Sequence, residues 1–237
     1  MSRVFITGAS RGLGLEFARQ YAAAGWDVVA TCRDPGRAVA LQRLAADRPR
    51  IDIARLDVTD PSAVDALAAR LHCTPIDVLI NNAGDIGPRD PDRTRLREQL
   101  FGSINYAEWQ RVLAVNTLAP VKVAEAFLEH VLAGAGRRLI FMSSSTGSNV
   151  EGTYPVFAYC SSKAALNKVV TMLAIALRPR GILCAAVCPG HVRTELGGDG
   201  ATIDVDESVT GLRRVIEALT LERSGSFTRY DGATVPW

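Results

Sequence analysis

Tyr159 and Lys163 stand four residues apart in the stretch AYCSSKAAL (158–166). On a helix that spacing puts both side chains on one face. A free phenol has a pKa of about 10 and is a weak acid at neutral pH. An ammonium beside it favours the phenolate and lowers that pKa. Lysine is a compact charge with rotatable donors, so it can serve the phenol and also hold hydroxyls of a ligand. The chain is sparing with lysine: of 27 basic residues only Lys122, Lys163 and Lys168 are lysines, and of five tyrosines only Tyr159 has one four positions on. An exposed helix with a snorkelling lysine would show the same pair. Its meaning has to come from the rest of the sequence.

The second constellation is TGASRGLG (7–14), which follows an apolar run and opens an amphipathic one. Gly8 would allow a tight strand-to-helix turn, Gly12 a close backbone approach to a pyrophosphate, and Gly14 close helix–sheet packing. With Ser10, Arg11 and Leu13 between them, these residues would hold the phosphates of a dinucleotide at a helix N-terminus. At the end of the second apolar run, ATCRDP (30–35) puts Cys32 where enzymes that use NAD place an acid, and Arg33 next to it. Arg33 and Arg11 converging on a 2′-phosphate favour NADP(H), with NAD the less favoured nucleotide. The competing assignment gives Asp34 the acidic role and leaves Arg33 in solvent.

These residues need a frame. Strands are expected at 3–7, 27–32, 51–56, 77–80, 138–144, 182–188 and 226–230, and helices near 13–24, 36–46, 61–71, 107–133, 156–178 and 206–222. Several strand runs are apolar throughout, as in a parallel sheet covered on both faces. Strict alternation of strand and helix predicts a doubly wound α/β fold, a single domain over residues 1–237.

Composition narrows the function. Hydrophobic content of 48%, charged content of 22% and a net charge of +2 are those of an ordinary soluble protein. They give no argument for nucleic acid or an anionic membrane. The mixed-charge stretch 89–97 reads as a solvated loop. Five cysteines without a C-x-x-C, and three scattered histidines, predict no metal site and reduced thiols in a cytoplasmic protein. No signal peptide is read at MSRVFITG, and no apolar stretch is taken as membrane-spanning.

Taken together, the chain resembles the short-chain dehydrogenase/reductase family. The motifs run in the family's order: the glycine turn, Asp57 in LDVTD with Val58 after it, NNAG (81–84), Asn116 in VLAVNT, SSSTG (143–147), YCSSK (159–163) and PGHVRT (189–194). The closing YDGATVPW (230–237) is similar to the C-factor/sniffer-type carbonyl reductase branch. The resemblance implies a Rossmann domain of about seven mostly parallel strands in the order 3-2-1-4-5-6-7. It implies hydride transfer between a nicotinamide and a small-molecule carbonyl or alcohol, with Tyr159 giving a proton to the carbonyl oxygen.

The other roles follow from the resemblance. Ser144, first of an S-x-x-G ending at Gly147, would hydrogen-bond the carbonyl oxygen, with Ser145 as the alternative. Asn116 would anchor a relay water with Lys163, or else be a polar residue that kinks its helix. Asp57 and Val58 would flank the adenine, and Asn81, Asn82, Ala83 and Gly84 would lie along the cofactor. Pro189, Gly190, Val192 and Thr194 would close on the nicotinamide side, Thr194 either bonding the carboxamide or capping a helix. Residues 191–205 would form a substrate lid, 85–108 would cover the site or an oligomer edge, and the protein would be a dimer or tetramer. Two readings compete: a catalytically weak nucleotide-binding signalling protein of C-factor type, and another reaction, such as epimerisation or dehydration, on the same scaffold.

Overall fold

The seven apolar runs are seven strands of one sheet: β1 (Arg3–Ile6), β2 (Asp27–Cys32), β3 (Ile51–Arg55), β4 (Val78–Asn81), β5 (Arg138–Met142), β6 (Leu183–Cys188) and β7 (Ser226–Arg229). Their order is β3-β2-β1-β4-β5-β6-β7 and every pairing is parallel, as the sequence reading expected. The structure is a computed structural model and describes residues 1–88, 97–152, 154–198 and 200–237. The loop expected at 89–97 lies almost wholly outside the described residues, as do Thr153 and Asp199.

Side chains alternate across each strand and so build two cores. Phe5, Leu79, Leu139 and Phe141 face one way and meet Val64, Val123, Phe127, Leu166 and Val170. Those partners come from α3 (Pro61–Arg70), α5 (Ala119–Ala126) and α7 (Phe157–Leu177), with Phe127 just past α5. Val4, Ile6, Val78, Ile80 and Ile140 face the other way. They pack on α1 (Gly12–Ala23), α2 (Val39–Asp47) and α8 (Val205–Glu217) through Phe17, Leu41, Val209 and Leu212. The glycine turn, the NNAG segment, the serine segment and the PGHVRT segment all leave the carboxyl ends of β1, β4, β5 and β6. Ligands of doubly wound sheets bind at that edge.

Three expectations need correction. The helix expected over 107–133 is broken into α4 (Tyr106–Leu113), a π-helical turn (Ala114–Leu118), α5 and α6 (Leu128–Ala133). Pro120 has no N–H for the carbonyl of Asn116, so the α-helical ladder cannot run through. The last helix ends at Glu217 rather than near 222. And one segment, Phe157–Arg180, is long and apolar enough to cross a membrane by length and composition, although none was expected. Here its core is α7, which buries Leu166, Val170 and Ala174 against the sheet.

Candidate active site

The glycine turn is shaped by what surrounds it. Gly8 (φ +69°) and Gly12 (φ +55°) hold left-handed conformations that other residues adopt at a cost. A Cβ on Gly8 would lie 2.9 Å from the Cα of Ala83, and one on Gly14 only 2.3 Å from the carbonyl oxygen of Gly8. Asn82 braces the turn from β4. Its Nδ2 donates to the carbonyls of Thr7 (2.9 Å) and Gly8 (3.0 Å), while the Thr7 hydroxyl accepts from the backbone N–H groups of Asn82 and Ala83 at 3.0 Å each. The side chain of Asn82 thus fixes the turn.

A cleft of ≈ 1090 Å³ runs along this edge. Its walls are the glycine turn with Thr194 packed beside Gly12, Cys32, Arg33, Asp57 and Val58, and further in Gly84, Tyr159, Lys163 and Pro189. Most of the residues singled out in the sequence therefore share one space. Asn116, Ser144, Gly190 and Val192 lie outside its walls. Gly190 serves packing, since a Cβ there would lie 2.4 Å from Cδ1 of Ile203. Val192 is buried and bridges to Ile203.

At the inner end Lys163 is 4% exposed. Among the described residues its hydrogen bond goes to the carbonyl of Met142 at 2.8 Å, and its ammonium stands 5.7 Å from the centre of the Tyr159 ring. Burial pushes its pKa down to about 8, with the nearby Cys188 acting weakly the other way. Gly147 lets this happen: a Cβ there would lie 2.7 Å from that of Lys163, so the S-x-x-G turn packs directly on α7. In that turn Ser143 donates to Asn167 in the core. Ser144 Oγ accepts from the Thr146 hydroxyl (2.9 Å) and from its N–H (3.3 Å), which leaves the Ser144 proton to give. The Ser145 N–H donates to Cys188 Sγ at 3.3 Å.

Asn116 sits fully buried in the π turn and ties α7 to the end of β4. Its Nδ2 donates to the Asp85 carbonyl (2.7 Å) and to Ser162 Oγ (2.9 Å), and its Oδ1 accepts from the Asp85 N–H (2.8 Å). So it does mark a distorted turn, a feature common at functional sites. Thr194 lines the cleft, and its hydroxyl accepts from the Gly197 N–H at 3.1 Å; this closes a turn rather than capping a helix, since the next helix, α8, begins only at Val205. Of the stretch 191–205, residues 191–204 apart from Asp199 form a loop closed on itself and Val205 opens α8; the Arg193 N–H donates to the Ile203 carbonyl and Arg193 ion-pairs Asp204. Arg11 reaches this loop through Glu195 (3.1 Å).

Some wall residues were not foreseen. Asp85 and Arg111 form an ion pair that lines the cleft. Asp85 directly follows NNAG, which was the available signal; Arg111 gave none. Gln99, from the stretch 85–108, is 1% exposed and reaches the first turn of α7.

The order of motifs along this edge has a counterpart in known proteins. The family model for short chain dehydrogenases matches residues 2–202. The chain belongs to that family. This short-chain dehydrogenase superposes on the carbonyl reductase Sniffer of D. melanogaster with a TM-score of 0.89 and 31% identity over all of both chains. A carbonyl reductase from chicken fatty liver, solved with NADPH bound, matches with a TM-score of 0.85 and 34% identity, covering 100% of this chain and 99% of that one. The C-signal protein of Myxococcus xanthus is 39% identical over 175 residues, 73% of this chain and 99% of its own length.

Proposed function

We propose that this short-chain dehydrogenase reduces a ketone or aldehyde to an alcohol, or runs the reverse reaction, with NADP(H). The observation that carries the reading is the buried Lys163 ammonium over the Tyr159 ring, at the inner end of a cleft whose outer end is the glycine turn. Burying a cation costs free energy, and such a cost is retained where the charge serves function.

The residues suit a dinucleotide. The turn is closed to any Cβ at Gly8 and Gly14, and α1 begins there, so its first N–H groups can meet a pyrophosphate. Cys32 and Arg33 line the cleft, whereas Asp34 spends a carboxylate oxygen on the Arg37 N–H at 3.3 Å. That supports Arg33 as partner of a 2′-phosphate. The Arg11–Glu195 pair is exposed and so worth little, which leaves Arg11 able to turn to the same phosphate. Ser10, Leu13, Asp57, Val58, Ala83, Gly84 and Pro189 would line the cofactor, with Gly190 and Val192 holding the loop that carries Thr194. When bound, a reduced nicotinamide supplies the hydride.

Tyr159 gives its proton to the oxygen of the carbonyl as the carbon is reduced. Ser144 donates its free proton as a hydrogen bond to the same oxygen while charge develops there. Lys163 stabilises the phenolate left behind and holds hydroxyls of the cofactor. Asn116 acts through its backbone, since both its amide protons are taken and its carbonyl lacks the α-helical donor that Pro120 cannot supply. That carbonyl is the acceptor a relay water would use to return a proton through Lys163. The exposed Met172 and Ile175 on the outer face of α7 support the expected homo-oligomer.

The test is NADPH consumption against a panel of aldehydes, ketones and quinones, with Tyr159→Phe alongside. Consumption that falls by at least about a hundredfold in the variant is expected from loss of the acid. Wild-type turnover in Tyr159→Phe would remove the proposed acid. The likeness to C-signal keeps a second reading open, a binder with little turnover. It requires tight NADPH binding with no consumption on any carbonyl.

A further inference from the structure

The first turn of α7 carries Tyr159, and it has no cap of its own. Its N-cap, Val156, offers no side-chain hydrogen bond. The first N–H groups of a helix have no partner within the helix and need one from elsewhere. For Tyr159 the partner comes from sixty residues away: Gln99 Oε1 accepts from the Tyr159 N–H at 3.0 Å. The other end of the same amide, Nε2, donates to the carbonyl of Ile86. Gly87 makes room for it, because a Cβ there would lie 2.4 Å from Nε2, and its φ of +94° admits little but glycine. The amide is thus clamped between the segment after NNAG and the tyrosine.

We propose that Gln99 is a positioning residue for the Tyr159 acid. It fixes the backbone from which the phenol is presented and does so without charge. This rests on the reading of Tyr159 given above. Neutrality matters because, among the described residues, the Lys163 ammonium faces the ring, with the buried Cys188 thiol near that lysine. A carboxylate at position 99 would oppose both the ammonium and the helix N-terminus and make the phenol harder to ionise. The chain has a carboxylate next door, Glu98, and holds it elsewhere, on Asn105 Nδ2 at 2.8 Å.

Three variants test this: Gln99→Met, which removes the acceptor at similar volume; Gln99→Glu, which keeps an oxygen on the N–H and adds charge; and Gly87→Ala, which displaces the amide without touching it. The phenol is titrated by its phenolate absorbance, as the difference between each protein and the same protein carrying Tyr159→Phe. NADPH affinity, turnover and thermal melts are measured in parallel. Gln99→Met and Gly87→Ala should each lower kcat about tenfold, the scale of one lost cap, with NADPH affinity within about twofold. Their double variant should be no worse than either alone. Gln99→Glu should move the phenol titration, and the alkaline limb of the kcat profile, upward by about one pH unit. A wild-type titration in a folded Gln99→Glu, or wild-type kcat in Gln99→Met, would overturn the proposal. The titration needs neither substrate nor cofactor, so it gives an answer even where no carbonyl is turned over.

Discussion

The two ends of the cleft are built differently. The nucleotide end is backbone: a turn with two left-handed glycines, a third glycine pressed on the carbonyl of Gly8, and the start of a helix. Its one elaborate support, Asn82, reaches across from the neighbouring strand. The other end, which holds the proposed proton donor, is built from residues brought from four places. Lys163 and Tyr159 come from α7, the serines from the loop after β5, Asn116 from a π turn, and Gln99 from the long connection after β4. Backbone sites are made by local sequence and tolerate nothing larger than glycine. Side-chain sites are made by tertiary contact, and they carry a buried charge that the fold must hold against its tendency to stay in water.

That contrast can be broken at the proton end first. Lys163→Met should lower turnover by at least about a hundredfold, as loss of a group that stabilises the ionised acid. It should also raise the stability of the cofactor-free protein, since an ammonium whose pKa is pushed down to about 8 opposes folding. Above about pH 8 the folded protein sheds that proton while the unfolded chain keeps it until about 10.5, so stability gains with rising pH in this window. The melting-temperature deficit of wild type against Lys163→Met should therefore be largest below pH 8 and shrink toward pH 10.5. A deficit that stays constant with pH would mean the ammonium is not desolvated. At the other end, Gly14→Ala should cost about 1–3 kcal/mol of stability by overpacking. It should also weaken NADPH at least tenfold, because its Cβ would strike the carbonyl of Gly8 at 2.3 Å. Unchanged NADPH affinity in a folded Gly14→Ala would show that the turn is not the phosphate site.

The same division decides what could be read beforehand. All seven strands and the glycine turn were legible, because apolar runs and glycine spacing are local signals, whereas the strand order came from the family resemblance. Tyr159 and Lys163 were legible for the same reason, being one helical turn apart. The bracing role of Asn82 was not, since its acceptors lie 74 and 75 residues away. Gln99 was hidden in a stretch that looks like a charged surface loop, and only its tertiary contact marks it. Pro120 could have announced the break after α4, yet the apolar period runs smoothly through it and reads as one helix. Gly190 shows a second demand that its motif did not announce, since the space a side chain would fill is taken by Ile203 and Tyr230.

The most local effect is expected where the two ends matter least to each other, at the rim near Arg33. This guanidinium is exposed and lines the cleft, with Cys32 before it and Asp34 after it in the chain. If it holds a 2′-phosphate, it contributes one charge-assisted contact in a partly solvated place, worth about 1.5–3 kcal/mol. Arg33→Ala should then weaken NADPH about ten- to a hundredfold and leave NADH, which has no such phosphate, nearly unchanged. Because this end does not touch Tyr159, kcat at saturating NADPH should stay within about twofold. Direct titration of each nucleotide by quenching of intrinsic tryptophan fluorescence separates these outcomes. Equal losses for NADPH and NADH would mean that Arg33 shapes the adenine end of the cleft and does not choose between nucleotides. The choice would then rest on another guanidinium of the wall, Arg11 freed from Glu195.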